Sequence, residues 1–212
     1  MPKRRENNTT VPKIYVDTCI LQGGLSGRNK GADIVFLNKC KDNGWKVYSS
    51  IHTLMELFDL ARERAFLMKS VIKKWVDVNT FLRDRRRMTL NNSDLDDVSE
   101  ELNKFFLDNK FIDLVDINEE IWTDVKRIVE TSNLHSSDAL HLALARMYQC
   151  QVLVTHDGFF IEEGNRILKE VKEYNLLRIC DIGKVEQTIN ALRARNRKAS
   201  GIPPKARLSK EK

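Results

Sequence analysis

Asp17, Glu56, Asp138 and Asp157 are the residues of this chain whose types and surroundings best suit shared chemistry. In residues 135–160, HSSDALHLALARMYQCQVLVTHDGFF, Asp138 falls in the first turn of an amphipathic helix that Ser136 can cap, where the helix dipole favours an anion. Asp157 follows a short β-branched strand at 152–155, the kind of strand end where open α/β sheets place their ligands. Residues 13–16, Lys-Ile-Tyr-Val, read as another strand, with Asp17 and Thr18 at its carboxyl end. Glu56 lies on the edge of the apolar face of a helix beginning at Ser50, and Asp59 is one turn further. Gathered carboxylates repel one another unless a cation compensates. Oxygen ligands, with no His or Cys cluster in the sequence, select Mg²⁺ or Mn²⁺ over zinc. Such a site suits phosphoryl chemistry, in which metal ions activate water and stabilise the leaving oxygen.

The elements that must position these acids alternate along the chain. After the first strand, residues 23–31, GGLSGRNKG, read as a flexible loop with four glycines and neither a GxGxxG nor a Walker spacing. A helix is expected over 33–43, with Ile34, Leu37 and Cys40 inward and Gly44 as its stop. A strand at 45–49 then leads into a helix over 50–68, with Leu54, Leu57, Leu60 and Ala61 facing the core. Residues 69–110 read as a charged helical extension. Within it RDRRRM (83–88) is a solvated face or a nucleic-acid contact, and a capping start at 93–96 leads a stripe of Leu95, Val98, Leu102 and Phe106. A strand at 111–115 and a helix carrying Ile121, Val125, Ile128 and Val129 precede the central stretch, whose helix presents Leu140, Ala143, Leu144 and Met147. A helix over 160–174, a strand at 177–180 and a helix over 181–197 follow. Alternating strands and helices imply the α/β class, a three-layer α/β/α sandwich on a mainly parallel sheet, with strand carboxyl ends on one rim.

Length and charge narrow the function classes. With 212 residues, 42% apolar and 31% charged, the chain is expected to fold as one globular domain rather than remain disordered. No apolar stretch approaches a membrane span, and MPKRRENNTT lacks the apolar core of a secretory signal, so a cytoplasmic protein with no membrane partner is expected. Cys19, Cys40, Cys150 and Cys180 show no CxxC pairing and read as free thiols. The net charge of +6 divides into +2 over residues 1–10, +7 over 193–212 and −3 over the body. An acidic body with basic ends suits a metal site flanked by polyanion-binding arms, the alternative being tails that only solubilise. Residues 1–12 are expected to be a basic flexible arm, 183–200 a C-terminal helix, and 201–212, beginning Gly201-Ile-Pro-Pro, a disordered basic tail.

These segments resemble the PIN-domain ribonucleases, most closely their VapC-type toxins, over about residues 13–180. IYVDTCIL resembles the family's first strand with its Asp-Thr, and HTLMELFDLA its glutamate helix. SSDALHLALA and VLVTHDGFF resemble the third and fourth motifs, a specific pairing in order and spacing. The resemblance implies a divalent-metal-dependent endoribonuclease acting on single-stranded or looped RNA. In it Asp17, Asp138 and Asp157 hold Mg²⁺ or Mn²⁺, Glu56 completes the set, and Thr18 and Thr155 support it with their hydroxyls. Arg28, Lys30, Arg193, Arg195, Arg197 and Lys198 are then candidate RNA contacts. A homodimer and an antitoxin protein are further expected partners. His141 and His156 are expected at the surface or behind the ligands, since metal-activated water needs neither as a base. Many toxin relatives carry Asn where Cys19 stands and a further acid where Phe159 stands, so fewer ions or weaker binding would follow. Two other classes compete: an RNA-binding or scaffolding module with little catalysis, and an aspartyl phosphotransferase. The latter wants a second acid at position 19, where this chain has Cys.

Overall fold

Five parallel strands in the order β3-β2-β1-β4-β5 form the centre of the computed structural model, which describes residues 11–27, 31–72, 77–84, 90–170 and 176–199. The strands are β1 (Lys13–Val16), β2 (Lys46–Ser50), β3 (Ile112–Val115), β4 (Val152–Val154) and β5 (Arg178–Cys180). Helices cover both faces, so the strands read as apolar runs. Alternation along each strand divides the core: Ile14, Val16, Val47, Val152 and Val154 face one layer, and Tyr15, Leu153 and Ile179 the other.

The first layer contains α1 (Thr18–Ser26), α2 (Ala32–Asp42), α3 (Ile51–Leu67), α5 (Asn92–Asp108) and α9 (Val185–Ala199), each supplying buried residues to one cluster. A π-helical turn (Met68–Ile72) extends α3, and a short α4 (Val78–Asp84) precedes α5. α5 joins this layer through Val98 and Leu102, and full burial of such side chains contributes about 1.5–3 kcal/mol each. The second layer is α6 (Glu119–Thr131), α7 (Ser136–Met147) and α8 (Gly158–Glu170). The result is a three-layer α/β/α sandwich. Its chain runs outward from β1 to β3, then crosses back to β4 on the other side of β1. The β1/β4 boundary is therefore a switch point, where helices leaving adjacent strand ends diverge and open a crevice.

Local differences from the sequence reading have physical causes. Residues 23–26 are not loop: Asp17 caps α1 by accepting from the Thr18 N–H, and buried Ile20 and Leu21 hold the helix down through Gly23 and Gly24. Gly27, at φ 65°, ends it in the left-handed conformation that glycine tolerates. α2 is rotated so that Phe36, Leu37 and Cys40 are buried while Ile34 is exposed, because its buried inner edge begins with Asp33. Asn91, with Asp94 returning the bond in a capping box, starts α5 in place of Ser93. Val129 is on the outer side of α6, and Arg83 is an exposed end of α4. α7 is capped by no side chain and buries most of its circumference, from Ala139 to Ala145 apart from half-buried Leu140, because it fills the middle of its layer. A 3₁₀ turn (Ile182–Lys184) precedes α9. The N-terminal arm over 1–10, residues 85–89 of the arginine run, the end of the 160–174 helix and the tail beyond 199 lie outside the described residues. Among the described residues no helix is long and apolar enough to cross a membrane, and the four cysteines are free.

One ion pair ties the second layer together. The Glu163 carboxylate on α8 accepts from the Asn133 N–H at 2.9 Å and from Arg166 Nε at 2.9 Å and Nη2 at 2.7 Å. Arg166, then the Asn133 N–H, hold this carboxyl down at about 2, so it stabilises the fold above the ordinary glutamate range. That contribution is lost as pH falls from about 4.5 toward 2. Glu163→Gln should therefore lower the urea midpoint at pH 7, and the gap from wild type should narrow steadily below about pH 4. A gap that is constant over that range would show that the carboxylate charge contributes nothing.

Candidate active site

At the β1/β4 boundary, side chains from both helical layers meet. Asp17 stands at the end of β1, 8% exposed, with each oxygen assigned. Oδ1 accepts from the Thr18 N–H at 2.6 Å; Oδ2 accepts from the Thr155 hydroxyl at 2.6 Å and from the Cys19 thiol at 3.2 Å. Thr155 itself accepts the Asp157 N–H at 3.0 Å, so the ends of β1 and β4 are joined through one hydroxyl. Burial first, then the Asp17 charge, push the Cys19 thiol up to about 12, making it an inert donor rather than a nucleophile.

Glu56 reaches the same place from α3. Its Oε2 accepts from the Thr18 hydroxyl, and its Oε1 from the Ser137 hydroxyl at 2.6 Å. His52 Nε2 lies 3.3 Å from Oε1, and His141 Nε2 3.3 Å from Oε2. Burial would raise this carboxyl, but the bonds from His141, Ser137 and Thr18 outweigh it and hold the group at about 2. Glu56 is thus ionised and surrounded by donors. The Thr18 and Thr155 hydroxyls are both engaged by carboxylates.

His141 is not at the surface: it is 1% exposed, on the inner side of α7. Its Nδ1 meets the Tyr15 hydroxyl at 3.0 Å, and its Nε2 lies 3.4 Å from Asp17 Oδ1 as well as beside Glu56. Burial pulls its pKa down, but the Glu56 bond and the charges of Asp17, Glu56 and Asp138 raise it overall. The spacing signal was available, since His141 follows Asp138 by three residues and His52 precedes Glu56 by four.

Asp138 differs from Asp17 and Glu56. It lies in the first turn of α7, and no hydrogen-bond donor reaches its carboxylate among the described residues. Burial, then Asp17 and Asp157, raise its pKa. Asp157 is exposed, and its Oδ1 accepts the Phe160 N–H at 2.9 Å at the start of α8. The fold therefore brings three acids close enough to repel, with a fourth joined to them through Thr18 and His141.

Beside them, His156 also has a fixed place. Its Nε2 meets Asp33 Oδ1 at 2.6 Å and its Nδ1 meets Asp181 Oδ2 at 2.7 Å, linking α2 to the turn after β5. Asp33 is fully buried, a helix-start acid that no local motif singles out. Arg28 and Lys30 lie outside the described residues, as do the side chains of Arg197 and Lys198. Arg193 and Arg195 are exposed on α9. Arg195 lines a groove of about 560 Å³ with Arg178, Asp181 and Lys184.

The donor set fits a hard divalent cation. Asp138 accepts no side-chain hydrogen bond among the described residues, the charges of His141 and His135 offset its neighbours only in part, and Asp17 is locked in place by Thr155. Mutual repulsion that protein donors leave uncompensated is what a bound cation relieves. In comparisons with known proteins, the PIN domain family model matches residues 14–162, more than half of the chain. No curated protein matches the chain.

Proposed function

The chain belongs to the PIN domain family, whose members are generally nucleases, and from that premise we propose that it is a divalent-metal-dependent endoribonuclease. The observation that carries the metal dependence is the meeting of acids from four elements at the sheet's switch point: Asp17 at the end of β1, Glu56 on α3, Asp138 in the first turn of α7 and Asp157 after β4. Asp17, Asp138 and Asp157 would hold Mg²⁺ or Mn²⁺, with Glu56 completing the set. When bound, such an ion supplies charge neutralisation and activation of water for attack at phosphorus.

The chain's own residues do the positioning. Thr155 and the Thr18 N–H keep the Asp17 carboxylate from rotating. Thr18, Ser137, His52 and His141 hold Glu56 ionised at the rim. The groove lined by Arg178, Lys184 and Arg195 also contains Asp181, the partner of His156, and its three cations support RNA as the substrate by offering phosphates a cationic surface. The DALHLALA and LVTHDGFF segments support the finer reading of a VapC-type toxin, acting in the cytoplasm as a homodimer restrained by an antitoxin protein.

The test is cleavage of a mixed RNA pool by the full chain with Mn²⁺ or Mg²⁺, repeated with chelator. Endonucleolytic products that vanish on chelation are expected. Cleavage that survives chelation would overturn the metal dependence. RNA binding without cleavage in either ion would make the chain a scaffolding module instead.

A further inference from the structure

Glu56 is shared between two kinds of neighbour: hydroxyls and acids on one side, two imidazoles on the other. His52 and Glu56 stand one turn apart on α3, and His141 reaches them from α7. One ligand atom from each of the three lies within 4.8 Å of the other two. The separations are 3.3 Å from His52 Nε2 to Oε1 and 3.3 Å from His141 Nε2 to Oε2. A tetrahedral ion with ligand bonds of about 2.0–2.1 Å has ligand–ligand edges of about 3.3 Å. Each imidazole sits at that edge length from a different Glu56 oxygen, His52 from Oε1 and His141 from Oε2, and all three residues stay within the 4.8 Å limit.

The surroundings are those of a ligand set rather than of a chance contact. The buried Tyr15 hydroxyl holds His141 Nδ1, so Nε2 is aimed at Glu56 by the residue behind it, as outer partners aim metal-bound histidines. His52 and Glu56 keep 29% and 30% side-chain exposure, which leaves the site open to solvent on one side. Two imidazoles with one carboxylate prefer a borderline ion such as Zn²⁺ or Co²⁺, whereas Asp17, Asp138 and Asp157 offer only hard oxygens.

We propose that His52, Glu56 and His141 form a second, transition-metal site that shares Glu56 with the carboxylate set, and that Zn²⁺ bound there restrains the nuclease by engaging that residue. The binding site stands on its own geometry; the restraint rests on the nuclease reading. An ion between the imidazoles competes with Thr18 and Ser137 for the Glu56 oxygens, and so withdraws Glu56 from the carboxylate site beside it.

The experiment uses the full-length, metal-stripped chain titrated with Co²⁺ and followed by its visible absorption, then with Zn²⁺ in competition with a chromogenic chelator. One equivalent of Co²⁺ with four-coordinate absorption, displaced by Zn²⁺, is expected. His52→Ala should weaken Zn²⁺ binding at least tenfold, and because His52 is only partly buried and outside the apolar core this variant tests the site without opening the core. His141→Ala should do the same, and its circular dichroism shows whether it folds. Asp157→Asn should bind Zn²⁺ as wild type does. No bound Co²⁺, wild-type affinity in His52→Ala, or loss of binding in Cys19→Ser rather than in the histidine variants would overturn the site. For the restraint, the ratio of Mg²⁺-driven RNA cleavage with and without micromolar Zn²⁺ should fall well below one in wild type and return toward one in His52→Ala. Zn²⁺ binding with an unchanged ratio would overturn the restraint and leave the site. Absence of cleavage under every condition would count against the nuclease reading, while the Co²⁺ and Zn²⁺ titrations would still report on the site.

Discussion

Asp138→Asn is expected to lower cleavage by roughly two or more orders of magnitude while leaving the metal-free protein as stable as wild type, or slightly more so. Asp138 has no donor for its carboxylate among the described residues and is crowded by Asp17 and Asp157, which together with burial raise its pKa. A group whose folded pKa is raised in this way opposes folding at neutral pH, where it is ionised. Asparagine keeps the shape and removes the charge, the pattern of a site whose function costs stability. Mn²⁺ should raise the melting temperature of wild type by mass action, by the equivalent of about 2.7 kcal/mol once free ion reaches about a hundred times Kd. The variant should gain much less. Asp17→Asn and Asp157→Asn should also lose activity, and the losses should not add, because the acids act as one unit. Melting curves with and without Mn²⁺, beside cleavage rates, check all of this. Equal Mn²⁺ shifts in both proteins would remove Asp138 from the site. A large loss of stability in the metal-free variant would make it a structural helix-start residue.

Gly23→Ala should destabilise the protein by about 1–3 kcal/mol, against the normal direction of this change. In the interior of a helix, Ala is ordinarily favoured over Gly by about 0.5–1 kcal/mol. Here a Cβ on Gly23 would overlap Asp33 Oδ2 and lie 2.6 Å from its Cγ. Asp33 has nowhere to retreat: it is fully buried, and its other oxygen is held 2.6 Å from His156 Nε2. Moving it strains a buried ion pair, whose disruption is costly because the charge stays inside. The same movement pulls on His156, whose N–H meets the Cys19 thiol at 3.2 Å and whose next neighbour is Asp157, so cleavage should fall as well. Urea denaturation of Gly23→Ala, Asp33→Ala and the double variant gives the coupling. With Asp33 shortened, the added methyl should cost little or even stabilise. A Gly23→Ala protein more stable than wild type would refute the close approach of α1 and α2.

Some of this was determined by local sequence alone. Apolar runs at 13–16 and 152–155, the first followed directly by Asp17 and the second by His156 and then Asp157, mark strands whose ends carry these acids, because a strand buried on both faces must be apolar and its polar groups can begin only where it stops. Asp138 in a first helical turn, and Glu56 beside buried Leu57, follow from helical period in the same way. Alternation of strands and helices implied the layered class. Strand order, by contrast, was decided only by tertiary structure, and with it the crevice, since no residue of β1 announces that β4 will be its neighbour across 138 positions. The helical state of 23–26 depended on α2 as well: glycines that signal a loop locally are required there by the packing of Asp33 and Leu37. His141 and Asp33 lay hidden for a related reason. A lone histidine or aspartate on a helix is normally solvated, and only the bonds from Tyr15, Glu56 and His156, all distant in sequence, make their burial affordable. Sequence period tells which side of an element turns inward; which charges meet there is settled by long-range contacts that local pattern does not encode.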